Sequence, residues 1–419
     1  MQAQPRSALR RIAQSVAATL ALAGASFAAH AATAPAQIKI GTLYASTGPF
    51  AVASQGQFEG LKFWADAVNK DGGVFVKAFG KKIPVKIVAY EDQSSTSTAT
   101  TLYNQLITQD KVDVLVADFG SVLTSVAVPL AAEHHMLLID PTGSGANFFT
   151  KKTDYLADVS IPASTVWPIP LAHFVVQQGI KRVAIVYGAN DFDASQAETT
   201  KEVLSQAGIK PVYYHAVPTT ESNYTILLHT IKAANPQAVL EFGYAPNDIA
   251  FLRSLSQSGL HFDMTFSIFP GQLLDLMKKN VGVDGLAYTY TYPTPPLVQY
   301  SKVDYGMNTA EFVKAFQGAE HKAPNFLDAA GYNTGLVMQF MLDKAPKFTQ
   351  EDFHGALLND MSGKTTTLLG PFKINPNGAQ LGQPFPVAQM VPEGKDLKFV
   401  VVYPAEHATG KPVYPAPKR

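Results

Sequence analysis

Short apolar runs rich in Val, Ile and Leu alternate with helical stretches along this chain. In the first half the strand candidates are Ile38–Leu43, Pro84–Tyr90, Val112–Ala117 and Met136–Asp140. Runs this short and this rich in β-branched residues indicate buried strands rather than helices. A repeated strand–helix order is typical of a parallel sheet that helices cover on both faces.

The same strand–helix order begins again near residue 165. Its strand candidates are Arg182–Tyr187, Pro211–His215, Ala238–Tyr244 and Met264–Ile268, and late strands are expected over 365–374 and 386–403. The sequence therefore predicts an α/β fold of two doubly wound parallel-sheet lobes that face each other across a cleft. Ligands of open α/β sheets bind beyond the carboxyl ends of the strands, so we expect the site there.

The first residues have the pattern of an export signal. Arg6, Arg10 and Arg11 precede an apolar, Ala-rich run that ends in Ala29-His30-Ala31. This is the pattern of a secretory signal peptide, predicted over residues 1–31, and it places the mature protein in the periplasm. A membrane anchor is the weaker alternative, because the run is short and polar residues interrupt it. At the other end, residues 404–419 are rich in proline and are expected to form a disordered tail.

Composition and motifs exclude several classes of function. The chain has no cysteine, and Lys plus Arg equals Asp plus Glu at 33 each. Without a basic stripe or arm, we expect no nucleic-acid partner. The adjacent pair His134-His135 points in two directions on a helix, which is unsuited to chelation, so no metal and no cofactor are predicted. The motifs of phosphate loops, zinc proteases and hydrolase nucleophile elbows are absent from the sequence.

Two of the strands end in loops suited to a small anion. Val112–Ala117 runs into a turn that carries Ser121, and Met136–Asp140 runs into a small-residue loop with Thr142, Gly143 and Ser144. Backbone N–H groups at helix starts, together with hydroxyl donors, bind an anion without a Lys or an Arg. Ser121, Thr142, Gly143 and Ser144 are therefore candidate ligand-binding residues.

Several segments occur in a fixed order along the chain: IKIGTLYASTGPFAVASQGQFEGLKFWADAVNKDGG, YEDQSS, VDVLVADFGS, VPLAAEHHMLLIDPTGSG, KRVAIVYGANDF, AVLEFGYAPNDIAFLRSLSQSGL and LLGPFKI. In this order and spacing they resemble the periplasmic leucine/isoleucine/valine-binding protein family. These are the type I solute-binding proteins of ABC importers. The resemblance implies three interlobe crossings, near Ser164, Thr291 and Leu369. Lobe 1 would then contain residues 37–163 and 292–368, and lobe 2 residues 164–291 and 369–403.

The resemblance also assigns roles to individual positions. Ser121 matches the family serine that holds the ligand carboxylate, and Thr142 and Ser144 match the loop that presents a backbone group and a hydroxyl. Phe192 and Tyr244 match aromatic positions of the second lobe.

The departures from the family concern the ligand ammonium. Where amino-acid binders have acids, this chain has Thr165 and the stretch 269–272, which contains no carboxylate. A buried ammonium without an anion costs several kcal/mol. We therefore expect a small carboxylate with an apolar or aromatic body, against Phe119, Phe192, Tyr244 and Phe269. Substitution of the missing acid by a neighbour stays open; the candidates are Asp140, Asp191, Asp193 and Glu241.

The resulting hypothesis is a monomeric, non-enzymatic substrate-binding protein of an ABC importer of the branched-chain or hydrophobic amino acid type. It would deliver its solute to an ABC-type membrane permease. One alternative is a sensory module for the same solutes, which would have the same fold. A periplasmic α/β hydrolase is the other, and it lacks sequence support.

Overall fold

The computed structural model of the chain describes residues 33–300 and 302–418. The predicted signal peptide at 1–31 lies outside these residues. Within the described ranges, none of the helices combines the length and apolar character that a membrane crossing requires.

Strands and helices alternate along the described chain. The strands are β1 Ile38–Tyr44, β2 Val74–Val76, β3 Lys81–Ile83, β4 Val85–Glu91, β5 Val114–Val116, β6 Leu138–Asp140, β7 Leu156–Asp158, β8 Val183–Gly188, β9 Tyr213–Val217, β10 Ala238–Phe242, β11 Met264–Phe266, β12 Tyr290–Thr291, β13 Thr365–Thr367, β14 Gly370–Phe372, β15 Val387–Glu393 and β16 Asp396–Tyr403. The α-helices are α1 Ala51–Lys70, α2 Thr96–Thr108, α3 Gly120–Glu133, α4 Pro168–Gln177, α5 Asp191–Gln206, α6 Thr225–Ala233, α7 Ala245–Ser258, α8 Leu274–Val281, α9 Val283–Leu286, α10 Thr309–Glu320, α11 Phe326–Lys344 and α12 Gln350–Gly355.

The first sheet has five strands in the order β4-β1-β5-β6-β7, and every pairing is parallel. Leu115 belongs to a buried cluster with residues of α2 and α3. Val114 and Val116 are equally buried but point to the opposite face, where α1 and α11 lie. Helices therefore cover this sheet on both faces, as the short apolar runs predicted.

The second sheet has seven strands in the order β16-β15-β12-β11-β10-β8-β9. The pairings from β8 to β12 are parallel, whereas β15 and β16 join the edge in antiparallel fashion. The predicted architecture of two doubly wound sheets is confirmed, with an antiparallel hairpin added to the second.

The chain passes between the two sheets more than once. After β12 it forms α10 and α11, and α11 packs along α1 of the first sheet. Residues near 380 still belong to that side, since Asp158 N donates to Gly378 O at 2.9 Å and Ala163 N donates to Gln380 O at 2.8 Å. These bonds favour a third crossing between Gln380 and Val387 rather than at Leu369. The other lobe limits stay predictions.

The proline-rich tail differs from the disorder expected of residues 404–419. Val413 N donates to Gln389 Oε1 at 2.8 Å, and Gln389 Nε2 donates to Val413 O at 3.0 Å. Ala416 N also donates to Asp263 O at 2.8 Å. These bonds tie the described part of the tail to the second sheet. The side-chain amide of Gln389 both donates to and accepts from the backbone of Val413, as the backbone of a neighbouring strand would.

Helices α1 and α11 approach each other through glycine. A Cβ atom on Gly331 would lie 1.9 Å from the Gln57 carbonyl oxygen, and one on Gly60 would lie 2.0 Å from the Asp328 carbonyl oxygen. α11 begins with a capping box, in which Asn325 and Asp328 satisfy each other's backbone N–H groups. The close approach of the helices fixes the position of Phe326 at the start of α11.

Candidate functional site

The two loops singled out in the sequence meet in the structure. Ser121, in the first turn of α3, accepts a hydrogen bond at Oγ from Gly145 N at 2.9 Å. Gly120 N donates to Thr142 Oγ1 at 3.0 Å. Gly120 has a φ of 76°, a conformation that glycine adopts without strain, and this permits the sharp turn from β5 into α3. The carboxyl ends of β5 and β6 therefore place Ser121 and Thr142 side by side.

Two N–H groups of the second loop already have a partner within the loop. Thr142 N and Gly143 N both donate to Asp140 Oδ1, at 3.2 and 2.7 Å. Burial raises the pKa of Asp140 to about 8. Thr142 Oγ1 donates in turn to Gln57 Oε1 at 2.6 Å. Asp140 therefore fixes the conformation of this loop by accepting hydrogen bonds from its backbone, and it is not directed at a ligand.

The N–H group at the start of α3 has a partner from the other lobe. Ser121 N donates to the hydroxyl oxygen of Tyr244 at 3.0 Å. Tyr244 follows β10 and lies at the N-cap of α7, where it is 5% exposed. This bond joins the carboxyl ends of strands from both sheets.

Aromatic rings surround Tyr244. The ring centroids of Phe50 and Phe192 lie 5.2 Å from that of Tyr244, and those of Phe119 and Phe269 lie 6.1 Å from it. The structure thus brings together all four aromatic residues predicted from the sequence. Phe50 was missed, although its place just after the turn that follows β1 is also a strand end.

A small enclosed cavity lies inside this cluster. Its volume is about 10 Å³, and its walls are Phe119, Gly120, Thr142, Ile161, Trp167, Phe192, Tyr244, Phe269, Gln272 and Phe326. A single water molecule needs roughly 10–15 Å³ by this measure. In this conformation the aromatic side chains themselves fill the space that the sequence assigned to a ligand.

A larger chamber adjoins the enclosed cavity. Its volume is about 590 Å³, and it shares Phe119, Tyr244 and Phe269 with the enclosed cavity. The first lobe contributes Phe50, and the second contributes α7 and α8. The volume lies in the range typical of small-molecule sites. The chamber and the cavity together are the candidate interlobe site.

Arg253 is the one charged side chain among the residues that line these two spaces. It is exposed on α7. It forms no ion pair and no hydrogen bond with the part of the chain that the structure describes. An anion in the chamber would therefore meet one cationic group and no competing carboxylate.

Four of the predicted residues line neither space: Ser121, Gly143, Ser144 and Thr165. Ser144 is fully buried and its Oγ has no partner among residues 33–300 and 302–418, while its carbonyl accepts from Ser164 N at 2.8 Å. Gly143 packs against Asp140 and Thr124. Thr165 is exposed in the turn before α4. A strand-end loop has an inner and an outer side, and the sequence does not distinguish them.

The acids left open as partners for an ammonium also lie outside both spaces. Asp191 Oδ2 accepts from Asn147 N at 2.9 Å. Glu241 accepts a hydrogen bond from Ser267 Oγ at 3.1 Å. Its pKa is raised, mainly by burial and secondly by the charge of the nearby Asp248. Burial likewise raises the pKa of Asp193. Together with Asp140, these acids form internal contacts and are not directed at a solute.

Gln272 is a further lining residue that the sequence did not single out. It is 4% exposed, and its Nε2 has no hydrogen-bond partner within the described residues. It lies in the stretch where the family resemblance predicted an acid, and this position was its sequence signal. An amide there offers a donor to a ligand oxygen.

Comparison with known proteins gives a consistent result. A family model described as periplasmic binding protein matches residues 37–396. The chain is 24% identical over 396 residues to the Leu/Ile/Val-binding protein homolog 7 of Brucella abortus, covering 92% of this chain and 96% of that protein. It is also 24% identical over 233 residues to homolog 3 of Brucella melitensis, covering 55% of this chain and 61% of that protein.

Solved structures share the fold. A leucine-binding protein, LivK, from Thermotoga maritima superposes with a TM-score of 0.74 at 16% identity, covering 88% of this chain and 99% of that chain. A solute-binding protein of an R. palustris ABC transporter, in complex with benzoate, gives a TM-score of 0.71 at 17% identity, covering 87% of this chain and 96% of that chain. At these identities the likeness concerns the fold alone.

Proposed function

Because this chain belongs to the periplasmic binding protein family, we propose that it binds a small carboxylate with an apolar or aromatic body between its lobes. Like its relatives and fold neighbours, it is a solute-binding protein and not an enzyme. The hydrolase alternative is therefore set aside. The proposed solutes differ from the leucine, isoleucine and valine to which the names of the relatives refer.

One observation carries the proposal: aromatic side chains line both spaces of the interlobe site, and no carboxylate does. An amino acid would leave its ammonium without an anion, at a cost of several kcal/mol. A carboxylate, by contrast, would find hydrogen-bond donors at Gln272 Nε2 and at Ser121 N, with the cationic Arg253 further out. The fold neighbour that holds benzoate supports an aromatic acid as a solute of this architecture.

The wider role follows from the same family. We infer export to the periplasm through residues 1–31 and action as a monomer that closes its two lobes on the solute. Such closure is a hinge motion of a few residues in the crossing segments. The closed form would present the solute to the permease of an ABC importer.

Isothermal calorimetry with matched solutes tests the solute class. Leucine and 4-methylpentanoate differ only in the α-ammonium group, as do phenylalanine and 3-phenylpropanoate. We expect both des-amino acids, together with benzoate, to bind more tightly than the amino acids, because only the ammonium lacks a partner in the site. Tighter binding of leucine than of 4-methylpentanoate would contradict the proposal.

A further inference from the structure

The hydrogen bond between Ser121 N and the Tyr244 hydroxyl has a consequence for solute binding. The acceptor in this bond is a side-chain oxygen from the opposite lobe, 3.0 Å from the donor. A carboxylate oxygen at the start of α3 would need the same position. If the proposed function is correct, the solute and Tyr244 compete for one donor.

Tyr244 is well held in this position. The centroid of its ring lies 5.2 Å from the ring centroids of Phe50 and of Phe192. The hydroxyl oxygen packs closely on Gly120, where an added Cβ atom would lie 3.2 Å from it. Burial raises the pKa of Tyr244, so the phenol is neutral. A neutral oxygen accepts a weaker hydrogen bond from an N–H group than a carboxylate does. Tyr244 therefore gives Ser121 N a hydrogen-bond acceptor, but a weaker one than an anion would be.

A second feature indicates that a ligand oxygen belongs here. Gln272 lines the same enclosed cavity, is 4% exposed, and has an Nε2 atom without a partner in the part of the chain described. A buried donor left unsatisfied costs free energy that a ligand acceptor would recover. The cavity, at about 10 Å³, has no room for that ligand while Tyr244 stays in place.

We propose that the Tyr244 hydroxyl is a built-in competitor, which takes the place of the solute carboxylate in the unliganded protein and leaves Ser121 N when the solute binds. This inference rests on the proposed function. Tyr244 then lowers the apparent affinity for every carboxylate by one common factor, set by the fraction of molecules in which Ser121 N is free. A residue that simply touches the solute would instead affect different solutes to different extents.

Calorimetry on the Tyr244→Phe variant tests this inference. The substitution keeps the ring and removes only the competing oxygen. We expect benzoate and 4-methylpentanoate each to bind about fivefold more tightly, since one neutral hydrogen bond is no longer exchanged. The factor should be the same for both solutes. Tyr214→Phe is the matched control, because Tyr214 hydrogen-bonds Glu198 on the exposed side of the second lobe, and the affinities should not change.

The unliganded proteins provide a second measurement. The Ser121 amide proton resonance should move upfield in Tyr244→Phe and stay in place in Tyr214→Phe. Weaker or unchanged binding in Tyr244→Phe, with wild-type binding intact, would overturn the competitor and leave the proposed function standing. An absence of binding by any acid, in the wild type and in the variant, would overturn both.

Discussion

Ser121 connects three parts of the site. Its Oγ accepts from Gly145 N at 2.9 Å, which joins the loops after β5 and β6, and its N–H reaches Tyr244 in the second lobe. The side chain is 4% exposed. A single serine thus links the two strand-end loops to the second lobe, and in the proposed site its hydroxyl would donate to the solute carboxylate.

Ser121→Ala should weaken carboxylate binding by about 1–2 kcal/mol, the scale of a hydrogen bond to a charged group. Calorimetry with benzoate measures the change. Ser125→Ala is the matched control, because Ser125 lies on the same helix, is exposed, and bonds only the Val122 carbonyl. Equal affinities for Ser121→Ala and Ser125→Ala would remove Ser121 from the proposed site.

Residue types and strand-end positions were predictable here, but their bonding partners were not. The apolar runs placed Ser121 and Thr142 at neighbouring strand ends, where the structure has them. Periodicity contains no information about what a side chain then bonds. Asp140 captures the N–H groups of its own loop, and Tyr244 captures the N–H of Ser121 from 123 residues away.

At the scale of elements, the contact between α1 and α11 depends on the absence of side chains. Gly331→Ala would place a Cβ atom 1.9 Å from the Gln57 carbonyl oxygen, so the helices must move apart. We expect a loss of about 1–3 kcal/mol, typical of overpacking, visible as a lower Tm.

Gly318→Ala on α10 is the control for this effect. A Cβ atom there has no neighbour within 4 Å, so replacing a helical glycine should raise stability by about 0.5–1 kcal/mol. A Gly331→Ala protein that melts at or above the wild-type temperature would show that the two helices separate without cost.

Element types were more predictable than connections. The sheets and their flanking helices follow from the apolar periodicity, which records burial on each face. The third crossing was predicted at Leu369, whereas the bonds to Gly378 and Gln380 favour a later position. Residues 365–374 have a strand pattern that does not show which side of the molecule they pack on. The bonds from Asp158 N to Gly378 O and from Ala163 N to Gln380 O then keep the chain beside the first sheet. The tail was missed because its bonds to Gln389 leave no periodic signal.

At the scale of the whole molecule, both sheets bury carboxyl groups that form no ion pair among the described residues. Burial is the largest cause that raises the pKa of each of them. The group consists of Asp92, Asp118, Asp140, Asp158, Asp193, Glu241 and Asp248. The folded protein therefore holds protons that the unfolded chain releases.

Stability should consequently fall as pH rises. In the unfolded chain an Asp titrates near pH ~3.9, whereas the folded pKa of Asp140 is about 8. The contribution of Asp140 is thus complete below pH ~4 and is lost as the pH rises through about 8. We expect a lower Tm at pH 9 than at pH 6, and a flatter pH dependence for Asp140→Asn, measured by thermal melts.

Asp66→Asn is the control for the pH series, because Asp66 is exposed on α1. It should follow the wild-type curve. A Tm that increases between pH 6 and pH 9, or an Asp140→Asn curve as steep as that of the wild type, would contradict this assignment.

The positions of the two tryptophans give the protein an intrinsic optical signal. Trp167 forms part of the wall of the enclosed cavity, with its ring 5.1 Å from that of Phe192. Trp64 is buried between α1 and α11, where its Nε1 donates to Gln339 Oε1 at 3.1 Å. A rearrangement of the aromatic cluster therefore changes the emission of one indole, while the other serves as an internal standard within the same spectrum.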